Sequence, residues 1–219
     1  MKISLIHPSR GRAVQSARTV ALWLDRAHTP HNVEVVVSLD RSDNTDVYLN
    51  EYHKAGLQQP RRFLVNDNKS VVEATNVAAA QVTGNILIYL SDDFECPWNW
   101  DLAIQEKFKG EYRPLLLKVD DCLQKFDVPV LTIPIMNKAL YDKLGYFWHP
   151  AYKSMFVDED LYWTVRKLGA LKAAPELKFE HKHVSVGKAP MDDTYRNSSA
   201  NWDSGKATFQ ARKAAGFPL

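Results

Sequence analysis

Apolar positions fall into short, well-separated blocks through the first half of the chain. Residues 3–7 carry Ile3, Leu5 and Ile6 and run into the polar cluster Pro8-Ser9-Arg10-Gly11-Arg12, a strand followed by a loop. Val14, Ala17, Val20, Ala21 and Leu24 recur at helical spacing and predict a helix over residues 14–28. Residues 33–39, rich in β-branched side chains, predict a second strand ending at Asp40. A third strand is predicted over 62–65. A helix follows over 71–82, with Gly84 just past its end. Residues 85–90 are almost wholly apolar, as expected of a strand buried on both faces.

The second half is less periodic. Residues 129–135 read as a strand interrupted by Pro129 and Pro134, hence an edge or a bent one. Residues 137–144 predict a short helix closed by Gly145, followed by an aromatic loop over 146–152. Residues 158–168 predict a helix opened by acids and closed by Gly169. Residues 180–201 are polar and predict a surface wrap before a last helix over 204–215. Strand, helix, strand, strand, helix, strand implies an α/β fold with a mostly parallel central sheet flanked by helices. Ligands of such sheets bind beyond the carboxyl ends of the strands. Residues 8–12, 40–43, 66–68 and 91–93 are therefore the candidate site loops.

Composition narrows the picture. The 219 residues are 45% hydrophobic, enough for one core and one domain. With 28 basic and 26 acidic residues the net charge is +2, so no global field favours nucleic acid or membrane. Cys96 and Cys122 form neither a disulfide framework nor a zinc spacing. No run approaches the roughly 18–20 apolar residues of a membrane span, and the apolar start is too short for a signal peptide. The expectation is a cytoplasmic protein without membrane insertion.

Chemistry concentrates at Ser91-Asp92-Asp93, after the buried fourth strand. Adjacent carboxylates repel, and a divalent cation such as Mn2+ or Mg2+ relieves the conflict with oxygen ligands. The competing reading is a solvated turn with an N-capping Asp. A second acidic cluster, Asp158-Glu159-Asp160, opens the predicted helix over 158–168, where acids also suit the macrodipole. On a helical start, side chains two residues apart point about 200° away from each other. His181 and His183 share one face if Phe179 starts a strand. Trp98 and Trp100 serve either as a sugar platform or as packing, and Trp148 stands in the aromatic loop. Asp120-Asp121 reads as a solvated turn. Lys188, Tyr195, Arg196 and Lys206 in the tail are placed to fold over a diphosphate or simply to cover the surface.

In order and spacing these motifs resemble a GT-A glycosyltransferase, close to the large family 2. The resemblance rests on residues 8–12, Asp40, the helix with Glu73, Asn76 and Gly84, and Ser91-Asp92-Asp93 in place of an Asp-x-Asp metal motif. It covers about residues 3–101, and more loosely continues to about 183. Ser91 stands where many relatives carry another acid, which leaves open which Asp holds metal and which touches ribose. The resemblance implies one GT-A domain: a nucleotide-sugar half over about 1–101, an acceptor half over about 102–185 and a wrap over about 186–219. It implies a donor held by Pro8, Ser9, Arg10, Arg12, Asp40, Asn76 and Asp92, a UDP-sugar favoured. Mn2+ or Mg2+ would be held by Asp93 with His181 or His183. The general base would be Asp160 if Arg166 sets the register or Asp158 if Gly169 does, with Asp160 preferred. Trp98, Trp100 and Trp148 would face an acceptor that is DNA, glycan, protein or small molecule, and transfer would invert the anomeric centre. The rivals are a nucleotidyltransferase, which would want a glycine-rich, lysine-bearing first loop, and a non-catalytic nucleotide- or sugar-binding module.

Overall fold

The structure is a computed structural model that describes residues 1–57, 62–189 and 191–219, Ser198 by its backbone only. Pro190, within the predicted wrap, lies outside the described residues. In chain order the elements are β1 (Ile3–Ser9), α1 (Ala13–Asp25), β2 (Val33–Asp40), α2 (Thr45–Lys54), β3 (Arg62–Asn66), α3 (Val71–Ala79) and β4 (Ile86–Tyr89). There follow β5 (Phe94–Glu95), α4 (Trp100–Phe108), β6 (Leu116–Asp120), β7 (Ile135–Asn137), α5 (Lys138–Leu144) and α6 (Val157–Lys167). The chain ends with β8 (Leu171–Lys178), β9 (Glu180–His181), α7 (Asp193–Ser199) and α8 (Trp202–Ala214).

Among the described residues a seven-stranded sheet has the order β3-β2-β1-β4-β7-β6-β8. β7 runs antiparallel to both its neighbours, and the remaining pairs are parallel. The α/β class and the mostly parallel sheet are therefore as the sequence predicts. Because β1 to β4 run the same way, the four polar loops that follow them gather along one edge.

Alternation along the strands builds two cores. Leu5, Val35, Val37 and Ile88 face Trp23, Tyr52, Trp100 and Ile104 on α1, α2 and α4. Ile6, Val36, Leu87 and Met136 face Val72, Leu140, Leu161 and Val165 on α3, α5 and α6. The turn between α3 and β4 approaches β1 so closely that a Cβ on Gly84 would stand 2.4 Å from Ser4 Oγ and 2.9 Å from its backbone nitrogen. Gly84 is thus a requirement of packing as well as a stop signal.

Three elements carry weak or misleading sequence signals. The proline-broken segment is a strand only at Ile135–Asn137; Lys118 Nζ instead donates to the carbonyls of Val128 and Val130. β8 is an edge strand whose register against β6 slips between Val119 and Asp120, opposite the stretch that contains Pro175. A proline without an N–H is tolerated at such an irregular edge. α2 begins where Asn44 accepts the backbone N–H of Asp46, a cap set in an otherwise polar stretch. Among the described residues no helix is long and apolar enough to cross a membrane.

α8 returns across α6 and closes a buried polar cluster. Asp160 is 1% exposed. Its Oδ2 accepts from Arg212 Nε at 2.5 Å and from Tyr152 Oη at 2.9 Å; Thr164 Oγ1 and Arg212 Nη2 lie 3.3 Å from Oδ1. Removing one partner of a buried pair leaves an uncompensated charge. Arg212→Ala is therefore expected to cost about 3–5 kcal/mol, read as a lowered urea midpoint by circular dichroism.

Candidate functional site

The loops at the carboxyl edge of β1 to β4, residues 153–158, the β9 ribbon and α7 enclose a cavity of about 390 Å³. Pro8, Ser9, Arg10, Arg12, Asp40 and Asp92 all line it. Asp40 lies 3.7 Å from Arg10 Nε. Burial and the nearby acids raise its carboxyl above the ordinary value, against the pull of Arg10.

The two carboxylates after β4 have separate surroundings. Asp92 turns inward: its Oδ2 accepts from Ser9 Oγ at 3.2 Å, and its Oδ1 lies 3.1 Å from His7 Nε2. His7 is fully buried, and its Nδ1 donates to the carbonyl of Leu90 at 2.8 Å. Thr19 Oγ1 donates to the Asp92 carbonyl at 2.6 Å. Asp93 faces His181, whose Nε2 is 3.4 Å from Oδ2, and accepts from Tyr195 Oη at 2.7 Å. Burial alone would raise the Asp93 carboxyl, but His181, Ser91 and Tyr195 outweigh it and hold it well below the usual carboxylate range.

A two-stranded ribbon makes this meeting possible. β5 follows Asp93 directly and pairs antiparallel with β9, Phe94 opposite His181. Lys182 N donates to the Asp93 carbonyl at 2.8 Å, and His181 N to that of Asp121 at 3.0 Å. The ribbon is anchored from below. Trp23 stacks on Phe179 at 5.4 Å and donates Nε1–H to the Phe94 carbonyl; Trp100 packs on Trp23 at 4.9 Å. Phe94 in turn sets its ring edge-to-face with the His181 imidazole at 4.6 Å.

Asp93 and His181 fit a divalent cation. Asp93 Oδ1 and His181 Nδ1, like Asp92 Oδ1 beside them, are buried without a hydrogen-bond partner among the described residues. A buried carboxylate oxygen so placed is expensive unless something binds it. His183 also lines the cavity, but its Nδ1 accepts the Ser185 N–H at 3.2 Å. In that tautomer its ring proton sits on Nε2, and the ring stands edge-to-face with that of His181 at 5.0 Å. Among the described residues no cluster of three or more His, Cys, Asp or Glu is arranged to hold a metal. Two protein donors leave the remaining positions to ligand oxygens or water.

The acidic helix start divides as the opposed directions of its side chains require. Asp158 lines the cavity, half-buried; burial and the charge of Asp121 push its carboxyl up, while the Glu159 N–H and its own backbone N–H pull it back. Asp160 points away into the Arg212 cluster and is absent from the lining. Phe156, just before, sits at φ 69° in the left-handed region, and its ring also lines the cavity. Asp121 is not solvated: its side chain anchors a turn through the N–H groups of Leu123 and Gln124 and the hydroxyl of Thr132.

Several expected site residues stand elsewhere. Asn76 binds the aromatic loop, accepting from the Phe147 and Trp148 N–H groups and donating to the Trp148 carbonyl. It positions Trp148, which does line the cavity. Trp100 is fully buried in the core, and Trp98 is 66% exposed beside Arg26, so neither faces the cavity. Lys188 pairs with Glu180 and Arg196 with Asp193, while Lys206 stands on exposed α8; Tyr195 alone of the four tail candidates lines the cavity. Unforeseen individually were Asn68, Tyr89, Lys153, Phe156 and Asn201. Asn68 lies in a loop that its place after β3 singles out; Asn201, far along the chain, carries no local signal.

The family model described as glycosyl transferase family 2 matches residues 4–153. No curated protein matches the chain. Solved structures are similar in fold. S. aureus TarS 1-349 superposes with a TM-score of 0.62 at 16% identity, over 82% of this chain and 59% of that one. The mannosyltransferase PcManGT from Pyrobaculum calidifontis, solved with GDP-Man and Mn2+, gives 0.63 at 16% identity, over 82% and 56%. GalNAc-T7, solved with UDP, GalNAc and Mn2+, gives 0.64 at 16% identity, over 83% and 44%. The chain thus matches between 44% and 59% of the length of these three proteins, and at this identity the likeness concerns the GT-A fold. The sequence match itself spans more than half of the chain, from the first strand to the edge of the cavity, and the protein belongs to glycosyl transferase family 2.

Proposed function

We propose that the protein transfers a sugar from a nucleoside-diphosphate sugar to an acceptor hydroxyl, with a divalent cation and with inversion. The observation that carries this reading is one cavity lined both by Asp93 with His181 and by Asp158. UDP is the first nucleotide to test, since TarS 1-349 has also been solved with UDP and GalNAc-T7 carries UDP, whereas PcManGT carries GDP-Man.

In this reading Asp40 accepts a hydrogen bond from the base or ribose, and the Arg12 guanidinium faces the diphosphate. Asp92, held by the Ser9 hydroxyl, supports the ribose side. Asp93 and His181 hold Mn2+ or Mg2+, which when bound neutralises charge on the leaving nucleoside diphosphate. Asp158 takes the proton of the acceptor hydroxyl as it attacks the anomeric carbon. The Arg166 register favoured Asp160, but both oxygens of that residue are committed to a structural cluster. Tyr89, Trp148 and Phe156 line the same space with apolar surface that limits water. The nucleotidyltransferase rival gains no support from a first loop with one glycine and two arginines.

Two outcomes follow. UDP binding measured by calorimetry should be much tighter with Mn2+ than with chelator, and Asp93→Ala should abolish the difference. Equal affinity in both conditions for the unsubstituted chain would remove the cation from the reading.

Asp158→Asn should lower single-turnover transfer about 10²–10⁴-fold with UDP affinity nearly unchanged. A base acts in its ionised form, and the Asp158 carboxyl is raised. Turnover should therefore be full at neutral pH and fall as pH drops through a value above the ordinary carboxylate pKa of about 4. An acid limb at or below that value, or a normal rate for Asp158→Asn, would assign the proton elsewhere.

A further inference from the structure

Arg12, assigned above to the donor diphosphate, and Asp93, assigned to its cation, are already engaged by one short segment of the same chain. Arg12 and Asp192 lie 180 residues apart. Arg12 Nε donates to Asp192 Oδ2 and Nη2 to Oδ1, both at 2.8 Å. The guanidinium is buried and stacks over the Tyr195 ring at 4.7 Å from its centroid. Three residues beyond Asp192, the Tyr195 hydroxyl donates to Asp93 Oδ2 at 2.7 Å. The same ring meets His183 edge-to-face at 5.0 Å, and Thr194 Oγ1 approaches the Arg10 carbonyl at 3.5 Å.

The planar fork of an arginine recognises a carboxylate and a phosphate with the same geometry. Asp192 thus presents to Arg12 the shape and charge that a donor phosphate would present. Tyr195 likewise supplies a positive hydrogen to Asp93 Oδ2, on the same carboxylate whose free Oδ1 a cation would take, and so offsets part of the charge that would attract it. We propose that residues 192–195 form an internal stand-in for the donor, a latch that occupies Arg12 and Asp93 together and is displaced by a nucleoside diphosphate with its cation. This rests on the donor-site reading above. An anionic diphosphate and the Asp192 carboxylate compete for one fork, so the apparent donor affinity is the intrinsic affinity reduced by the fraction of open molecules. A donor alone regains only Arg12 and a cation alone regains only Asp93, so the latch also couples the two ligands. Asp193 provides an internal control, since it is exposed and among the described residues pairs only with Arg196.

The test titrates UDP in the presence of Mn2+ into the full chain and into Asp192→Asn, Tyr195→Phe and Asp193→Asn by calorimetry. Asp192→Asn is expected to bind UDP about tenfold more tightly, as for a latch closed about nine-tenths of the time. Tyr195→Phe is expected to reach half-maximal UDP binding at a several-fold lower Mn2+ concentration, and Asp193→Asn to match the unsubstituted chain. Trypsin cleavage after Arg196 should be faster with UDP and Mn2+ than without. If Asp192 and Tyr195 merely supported the fold, both variants would bind UDP more weakly. Weaker or unchanged binding by Asp192→Asn and Tyr195→Phe overturns the latch while leaving the donor site intact. Slower cleavage at Arg196 with ligand also overturns it, because the segment would then close over the donor. Failure of all four chains to bind UDP overturns the donor-site reading and the latch with it.

Discussion

Two neighbouring carboxylates at the end of a buried strand set the terms for the rest of the site. Repulsion between them falls when they point in different directions, and the chain does this by turning Asp92 inward toward Ser9 and Asp93 toward the cavity and His181. Asp92 is absorbed against β1 through the Ser9 hydroxyl. Asp93 depends on residues far along the chain, because its partner His181 arrives only after edge strand β8. The ribbon of β5 and β9 is two residues long on each side, too short to hold itself. Its stability comes from the aromatic floor of Trp23, Trp100 and Phe179, which fixes both of its strands from one face. The core beneath the sheet edge therefore decides the geometry of the acid above it.

The opposite core does the same for the second acidic cluster. Asp158 and Asp160 differ by two positions on one helix start, and their chemistry diverges because α8 takes one of them. Arg212 on α8 gives Asp160 a buried cationic partner, with Tyr152 and Thr164 completing its shell. Asp158 keeps only local hydrogen bonds and a raised carboxyl. α8 also approaches closely at Gly205, where a Cβ would lie 2.5 Å from the Met155 carbonyl oxygen. The last helix thus fixes the turn that carries Phe156 and Asp158, although it lies beyond the residues matched by the family model.

The tail joins these two arrangements. Asp192 and Tyr195 reach the first loop and the acid after β4, so the cavity is bounded by the earliest and nearly the latest residues of the chain. Arg12 has no comparable anionic partner in its own loop, and Asp192 holds it charged against the cost of burial. The group that satisfies Arg12 here is itself an anion with two oxygens, which is why the same contact bears on both folding of the tail and access to the cavity.

The sequence by itself determined the α/β class, the order of β1 to β4 and the loops that carry chemistry. Those signals are local: β-branched runs, helical spacing of apolar residues, and polar clusters at strand ends. It also determined that Asp158 and Asp160 point in different directions, which follows from helix geometry. Tertiary structure alone decided which direction is the cavity, since that depends on where Arg212 lands. It alone turned Asn76 into a brace for Trp148, sank Trp100 into the core and brought the His181 ring against Asp93 and Phe94. β8, an edge strand with Pro175 and a register slip, was illegible because its pairing with β6 outweighs its own weak propensity. Each of these outcomes rests on contacts between residues far apart in the chain, and local periodicity holds no information about which distant side chain arrives.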